Sequence, residues 1–269
     1  MPQSSRKTRD RQLARLAERR RRERVRRRRQ RILATSLAVA IAVGGLGFAG
    51  YAFLLNNPKK KPAASPSASP TPTGSPTPAG VACGGTKPKA ASVKKKTYKK
   101  PPKMTIDRNK TYRVIMKTSC GTIELQLDPK AAPNTVNSFV FLAKSHFFDG
   151  LIFHRIHKDF VIQGGDPTGT GSGGPGYKTV DTPPKDAKYP VGVLAMAKSQ
   201  DEAAGTAGSQ FFIVIGQEAP LPAEYAIIGK VIKGQDVAEK IGALEIQKNQ
   251  TDGPPVLTVY TEKVTIKVS

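Results

Sequence analysis

Polar and apolar residues largely alternate in two stretches of YRVIMKTSCGTIELQLD, residues 112–128, on either side of Ser-Cys-Gly-Thr. Two half-buried strands joined by a tight turn, a β-hairpin, account for that pattern. Shorter apolar runs follow at 151–156, 160–164, 192–197, 211–215 and 226–232, and alternation returns in VLTVYTEKVTIKV, 256–268. Two stretches have helical spacing instead. PNTVNSFVFLAK, 133–144, groups Val136, Phe139, Val140 and Leu142 toward one face and opens on Pro133, a residue suited to the first helical position. GQDVAEKIGAL, 234–244, is the second. About eight short strands and two helices suggest a closed barrel with helices over its ends, an arrangement that also removes exposed strand edges.

A different pattern precedes this domain. ILATSLAVAIAVGGLGFAGYAFLL, 32–55, has no Asp, Glu, Lys, Arg or His. As a helix rising ~1.5 Å per residue it would be ~36 Å long, enough to cross a ~30 Å hydrocarbon core with some tilt. A single transmembrane helix is expected. A cleavable signal peptide is the alternative, but its apolar region is usually ~7–15 residues long and ends on small residues, whereas this run ends in Phe53, Leu54 and Leu55. The Arg-rich block before it would stay in the cytoplasm by the positive-inside rule, and everything after residue 55 would be exported. Residues 56–103, rich in Pro, Ser, Thr and Lys, lack the apolar surface for a core and read as a disordered stalk. The expected order is a basic segment at 1–31, a transmembrane helix at 32–55, a linker at 56–103 and a folded domain at 104–269.

The formal charge of +24 suggests a nucleic-acid binder until it is divided along the chain. Residues 1–31 hold 15 Lys and Arg against 3 acids, and residues 56–103 hold 11 Lys and no acid. Residues 104–269 hold 18 basic against 17 acidic residues. The folded part is nearly neutral, so phosphate-backbone binding would rest on the Arg block alone, and no nucleic-acid partner is expected.

FHRIHKDFVIQGGDP, 153–167, GTGSGGPGY, 169–177, GVLAMAK, 192–198, and TAGSQFFIVI, 206–215, resemble the cyclophilin family of peptidyl-prolyl cis-trans isomerases, and most closely its bacterial, membrane-anchored members. The resemblance covers about residues 110–269. It implies an eight-stranded antiparallel barrel capped by two helices, no cofactor or metal, and an apolar outer groove that holds proline-containing polypeptides. It implies a catalytic role for Arg155, apolar walls from Phe160, Val161, Phe212 and Leu221, and a hydrogen bond from Gln163 to the arginine or the substrate. Ala197 and Lys198 match the segment whose backbone pairs with the peptide, and Gln210 a polar position on the groove floor. Tyr225 falls where many members have histidine, and Pro220 where the best-known members have tryptophan, which implies weak cyclosporin binding.

The chemistry gives Arg155 a reason to be there. Partial double-bond character makes peptide rotation cost ~18–20 kcal/mol, so X-Pro isomerisation takes tens to hundreds of seconds. A guanidinium that donates to the imide nitrogen as it becomes pyramidal stabilises the transition state more than the ground state. Such a bond is worth ~1.5–3 kcal/mol, so the groove must supply the rest by holding the proline still and excluding water. A catalytically weak proline-binding or chaperone module on the same scaffold is the alternative function.

Other features have plainer readings. His146 and His157 lack the spacing of a metal site, and His154 is expected in a structural hydrogen bond. GTGSGG, 169–174, is followed by Pro175 where a phosphate loop would need a helix, so a surface turn is expected. Cys83 and Cys120 would both lie in an oxidising compartment, where a disulfide between them is expected, with two free thiols as the alternative.

Overall fold

A computed structural model describes residues 80–216 and 221–269. The basic segment 1–31, the apolar run 32–55, the linker as far as residue 79, and Pro220 lie outside the described residues. Among the described residues no helix is long and apolar enough to cross a membrane.

The strands are β1 (Tyr112–Thr118), β2 (Gly121–Leu127), β3 (Arg155–His157), β4 (Val161–Gly164), β5 (Thr179–Val180), β6 (Val193–Met196), β7 (Thr206–Ala207), β8 (Phe211–Val214), β9 (Ile227–Lys233), β10 (Asp252–Gly253) and β11 (Thr261–Val268). Two α-helices join them, α1 (Pro133–Lys144) and α2 (Gln235–Gly242). Nine strands form one sheet in the order β10-β3-β4-β8-β6-β9-β2-β1-β11, and β5 pairs with β7 separately. Every pairing within the sheet is antiparallel.

The sheet curls until its ends meet, but no ladder between end strands completes the ring. Backbone hydrogen bonds from Phe153 N to Val259 O (3.0 Å), Thr261 N to Leu151 O (2.7 Å) and Gly150 N to Thr261 O (2.6 Å) do so, joining the segment before β3 to the start of β11 and the residues just ahead of it. The expectation of eight strands is corrected to nine. The extra strand is β10, two residues that pair with His157 and Ile156 of β3, too short to carry any periodicity.

The barrel interior is the main core. Val114, Met116, Ile123, Leu125, Ile156, Ile162, Leu194 and Ile213 are fully buried there. Helix α1 covers one end with Val136, Phe139, Val140 and Leu142, and Phe139 stacks on Phe148 at 4.7 Å between ring centroids. It begins at Pro133, whose missing N–H costs the first turn nothing, and ends where His146 takes a left-handed φ of 55°.

The stalk reading fails over residues 80–103, which lie on the barrel as a strap. Val81 bridges Thr258, and Ala82 is fully buried. The Tyr98 ring meets Phe141 edge-on at 5.0 Å, and its N–H donates to Pro175 O. The Lys95 ammonium donates to Asp149 O, and the Asn137 side chain donates to Lys103 O and accepts from Thr105 N. Gly150, at φ +78°, lets the strap pass, because a Cβ there would lie 2.3 Å from the Ala90 backbone. Such a segment cannot build a core but needs little apolar surface of its own when it borrows one. Cys83 in the strap and Cys120 at the β1–β2 turn are joined as a disulfide.

Candidate active site

Strands β4, β6 and β8 are buried on both faces, which is why their sequences read as unbroken apolar runs. Ile162, Leu194 and Ile213 face the barrel interior. Their neighbours Val161, Ala195, Phe212 and Val214, with Tyr189, form a second, smaller apolar cluster on the outer face. Phe160, Ala197, Leu221 and Tyr225 pack at its border.

A groove of about 170 Å³ opens over this cluster. Arg155, Phe160, Val161, Gln163, Ala197, Lys198, Phe212, Leu221 and Tyr225 line it. Of the residues assigned to a substrate site from sequence, Gln210 alone is not part of this lining. It sits in an adjoining polar cleft with Lys178, Glu202 and Ser199.

Arg155 and Gln163 are cross-strand partners in β3 and β4, so their side chains leave the sheet together. Arg155 Nη1 donates to Gln163 Oε1 at 3.1 Å, and Gln163 Nε2 donates to Gln210 Oε1 at 3.0 Å. Gln210 Nε2 in turn donates to the carbonyls of Gly171 and Gly173, both at 2.9 Å. Gln210 therefore anchors the glycine loop to the arginine's support. The loop's amides are already spoken for: Asp166 accepts from Thr168 N (2.7 Å), Gly171 N (2.6 Å) and Gly173 N (3.1 Å). Burial works to raise the Asp166 carboxyl, but the bonds from Thr168, Gly173 and Gly171 outweigh it and hold it below its ordinary value.

The arginine has a partner that local sequence reading missed. Nε and Nη2 of Arg155 each donate at 2.7 Å to the two carboxylate oxygens of Asp252, in β10. The fork lowers the Asp252 carboxyl and raises the guanidinium. Asp252 lies 97 residues from Arg155, in a stretch whose Gly and Pro signal only a turn. A guanidinium has five donors, and these contacts occupy three. Of the two that remain, one is on Nη1 and one on Nη2, so each terminal nitrogen keeps a donor.

Other positions are held as firmly. Tyr189, fully buried, donates from its hydroxyl to Tyr225 O at 2.9 Å and accepts Tyr225 N–H at 3.0 Å. The Tyr225 ring stands edge-on to Phe212 with centroids 5.6 Å apart. The Lys198 side chain is 3% exposed; its ammonium pairs with Glu224 at 2.9 Å and lies 5.7 Å from the Tyr225 ring centroid. The structural hydrogen bond expected of His154 is not made. The ring is buried with neither nitrogen partnered among the described residues, and burial pushes its pKa down, against the pull of Asp166.

Residues 113–266 match the family model described as cyclophilin type peptidyl-prolyl cis-trans isomerase/CLD. Peptidyl-prolyl cis-trans isomerase-like 1 of Homo sapiens is 41% identical over 153 residues, 55% of this chain and 90% of that protein. Peptidyl-prolyl cis-trans isomerase A of Mycobacterium tuberculosis is 40% identical over 177 residues, 58% of this chain and 92% of that protein. A crystal structure of a cyclophilin type isomerase of Cryptosporidium parvum superposes with a TM-score of 0.52 at 32% identity, covering 58% of this chain and 98% of its own. The same protein in the presence of the dipeptide Ala-Pro gives 0.51. With more than half its length matched to that family, the chain belongs to the cyclophilin-type peptidyl-prolyl cis-trans isomerases.

Proposed function

We propose that this isomerase turns X-Pro bonds in the groove beside Arg155, through the Nη1 and Nη2 donors that Asp252 and Gln163 leave unclaimed. Those donors at the edge of an apolar slot carry the reading. A proline ring packs against Val161, Phe212 and Leu221, with Phe160 and Tyr225 bounding the slot. One Nη donates to the imide nitrogen as its lone pair leaves conjugation, and the rotation barrier falls. Asp252 holds the guanidinium in register, so no side-chain search accompanies the reaction. Ala197 N–H already donates to Gln210 O at 2.9 Å, which leaves the backbone of Lys198 to pair with the peptide. The solved relative in the presence of Ala-Pro supports a proline ligand for this fold.

The test is a protease-coupled isomerisation assay on a proline tetrapeptide. Arg155→Ala is expected to lose about 10- to 150-fold in kcat/KM, the worth of one charged hydrogen bond. Arg155→Lys should fail nearly as badly, because an ammonium cannot hold Asp252 through a planar fork and still present aligned donors to the substrate. Wild-type turnover in Arg155→Ala would reject the mechanism.

The setting is part of the proposal. The charge-free run at 32–55 behind an Arg block supports a single-pass membrane protein with a cytoplasmic N-terminus, its isomerase domain outside, acting on exported chains as they fold. The Cys83–Cys120 disulfide accords with that compartment. Weak cyclosporin binding is proposed from Pro220, and absence of enzyme inhibition at concentrations that silence other family members is the expected result.

A further inference from the structure

Across the outer face from the proline groove lies a second cleft, of about 460 Å³. Arg108, Lys110, Lys130 and Lys230 line it, and Asp128 is the only acidic side chain among its walls. Asp128 is committed locally, since its Oδ1 accepts from Lys130 N and Ala131 N. None of the four cations has a salt-bridge partner among the described residues. The domain as a whole is nearly neutral, with 18 basic and 17 acidic residues over 104–269, so four cations around one hollow mark a local concentration rather than a general excess.

The cleft and the groove share no lining residue but adjoin one apolar cluster. Val193 and Ile227 form part of the cleft wall, and both also pack against the apolar cluster under the proline slot. The sheet register gives the span: Phe212 pairs with Ala195, Val193 is two residues along the same strand, and Val193 pairs with Lys230. Two strand spacings of ~4.8 Å and two residues of ~3.3 Å put Lys230 roughly 12 Å from Phe212, with Lys130 further out. About four to six residues of extended peptide cover that reach.

We propose that this cleft is a docking site for acidic residues of the polypeptide being isomerised, lying about four to six residues from the proline. The proposal rests on the isomerase reading and names a substrate class for it: chains with a proline near a cluster of Glu or Asp. Charge complementarity supplies the attraction, and the register of β6, β8 and β9 sets the distance. Because the cations are exposed, the effect should be modest and sensitive to salt.

The experiment uses the full chain and two peptides with the same Ala-Pro core, one carrying paired glutamates four to six residues from the proline on either side, the other glutamines. Turnover and calorimetric binding are measured at low and high salt for wild type and for Lys130→Glu/Lys230→Glu. Wild type should prefer the glutamate peptide by about 3- to 10-fold in kcat/KM at low salt, with the preference falling at high salt. The double variant should lose or invert it while turning over the glutamine peptide as before. Equal use of both peptides by wild type overturns the proposal. So does a preference that survives charge reversal, which would belong to other cations, first among them the Arg block at 1–31. If inorganic polyphosphate binds wild type but not the variant while the glutamate peptide gains nothing, the cleft takes a free polyanion and the proposal is again overturned. Loss of turnover on both peptides would fault the isomerase mechanism, and the binding titration would still decide the cleft.

Discussion

Asp252 governs how much of the Arg155 guanidinium is left for a substrate. It takes one edge of the group with two short bonds, at the expense of some positive charge, and in exchange fixes where the free edge points. Both side chains are about two-fifths exposed, so the pair itself adds little to stability. Asp252→Ala is therefore expected to leave the thermal midpoint nearly unchanged while kcat falls about 3- to 30-fold and KM holds. Asp252→Asn should lie between, because its amide oxygen still accepts from Nε. Unaltered kcat in Asp252→Ala would mean that Arg155 positions itself. The carboxyl is held below its ordinary 3.8, so the fork persists above that pH and is lost only as pH falls through the lower folded value. His154 acts in the same direction at higher pH. Its pKa is lowered from 6.5, so below pH 6.5 the unfolded chain binds a proton that the folded one refuses. Stability should decline as pH falls from 6.5 toward the lower folded value, with a slope of at most about 1.4 kcal/mol per pH unit from this group. Denaturant midpoints across that window measure it, and in His154→Phe the slope should flatten.

Among elements, the strap is the one whose behaviour is least obvious from its composition. The disulfide closes a loop of 37 residues between Cys83 and Cys120, and chain-entropy arguments value such a closure at about 3–4 kcal/mol. Cys83→Ser should lower unfolding free energy by about that amount, and intact mass should reveal two thiols per chain only after reduction. Two titratable thiols in the unreduced protein would dismiss the cross-link. The hairpin 112–128 and the helix at 133–144 were legible because each runs long enough for a period of 2 or 3.6 to show. β10 was not, since two residues have no period, and the strap was not, since Ala82 and Tyr98 make its apolar contacts from within a Lys- and Pro-rich stretch. The same distinction applies to the site. Arg155, Phe160, Val161 and Gln163 stand in one motif and were readable together, whereas Asp252, Tyr189 and Glu224 reach the groove only through the fold. Gln210, expected on the groove floor, lies instead in the adjoining polar cleft, one hydrogen bond beyond Gln163.

At the scale of the whole molecule, sequence carries the membrane proposal unaided. Protease added to intact cells should remove the isomerase domain while an epitope at the N-terminus survives; protection of the domain would reject the topology. The order of the sheet has a further consequence. β1 lies between β2 and β11, its outer edge paired from Tyr112–Val268 to Thr118–Thr261, so the first strand of the domain waits for the last. The residues that finish the ring, Val259 to Thr261, are equally late. A chain still being made thus has its opening hairpin bare along one side until β11 is available to pair with it. The isomerase domain cannot close its own ring before that strand arrives, and until then an unpaired edge is open to the wrong partner.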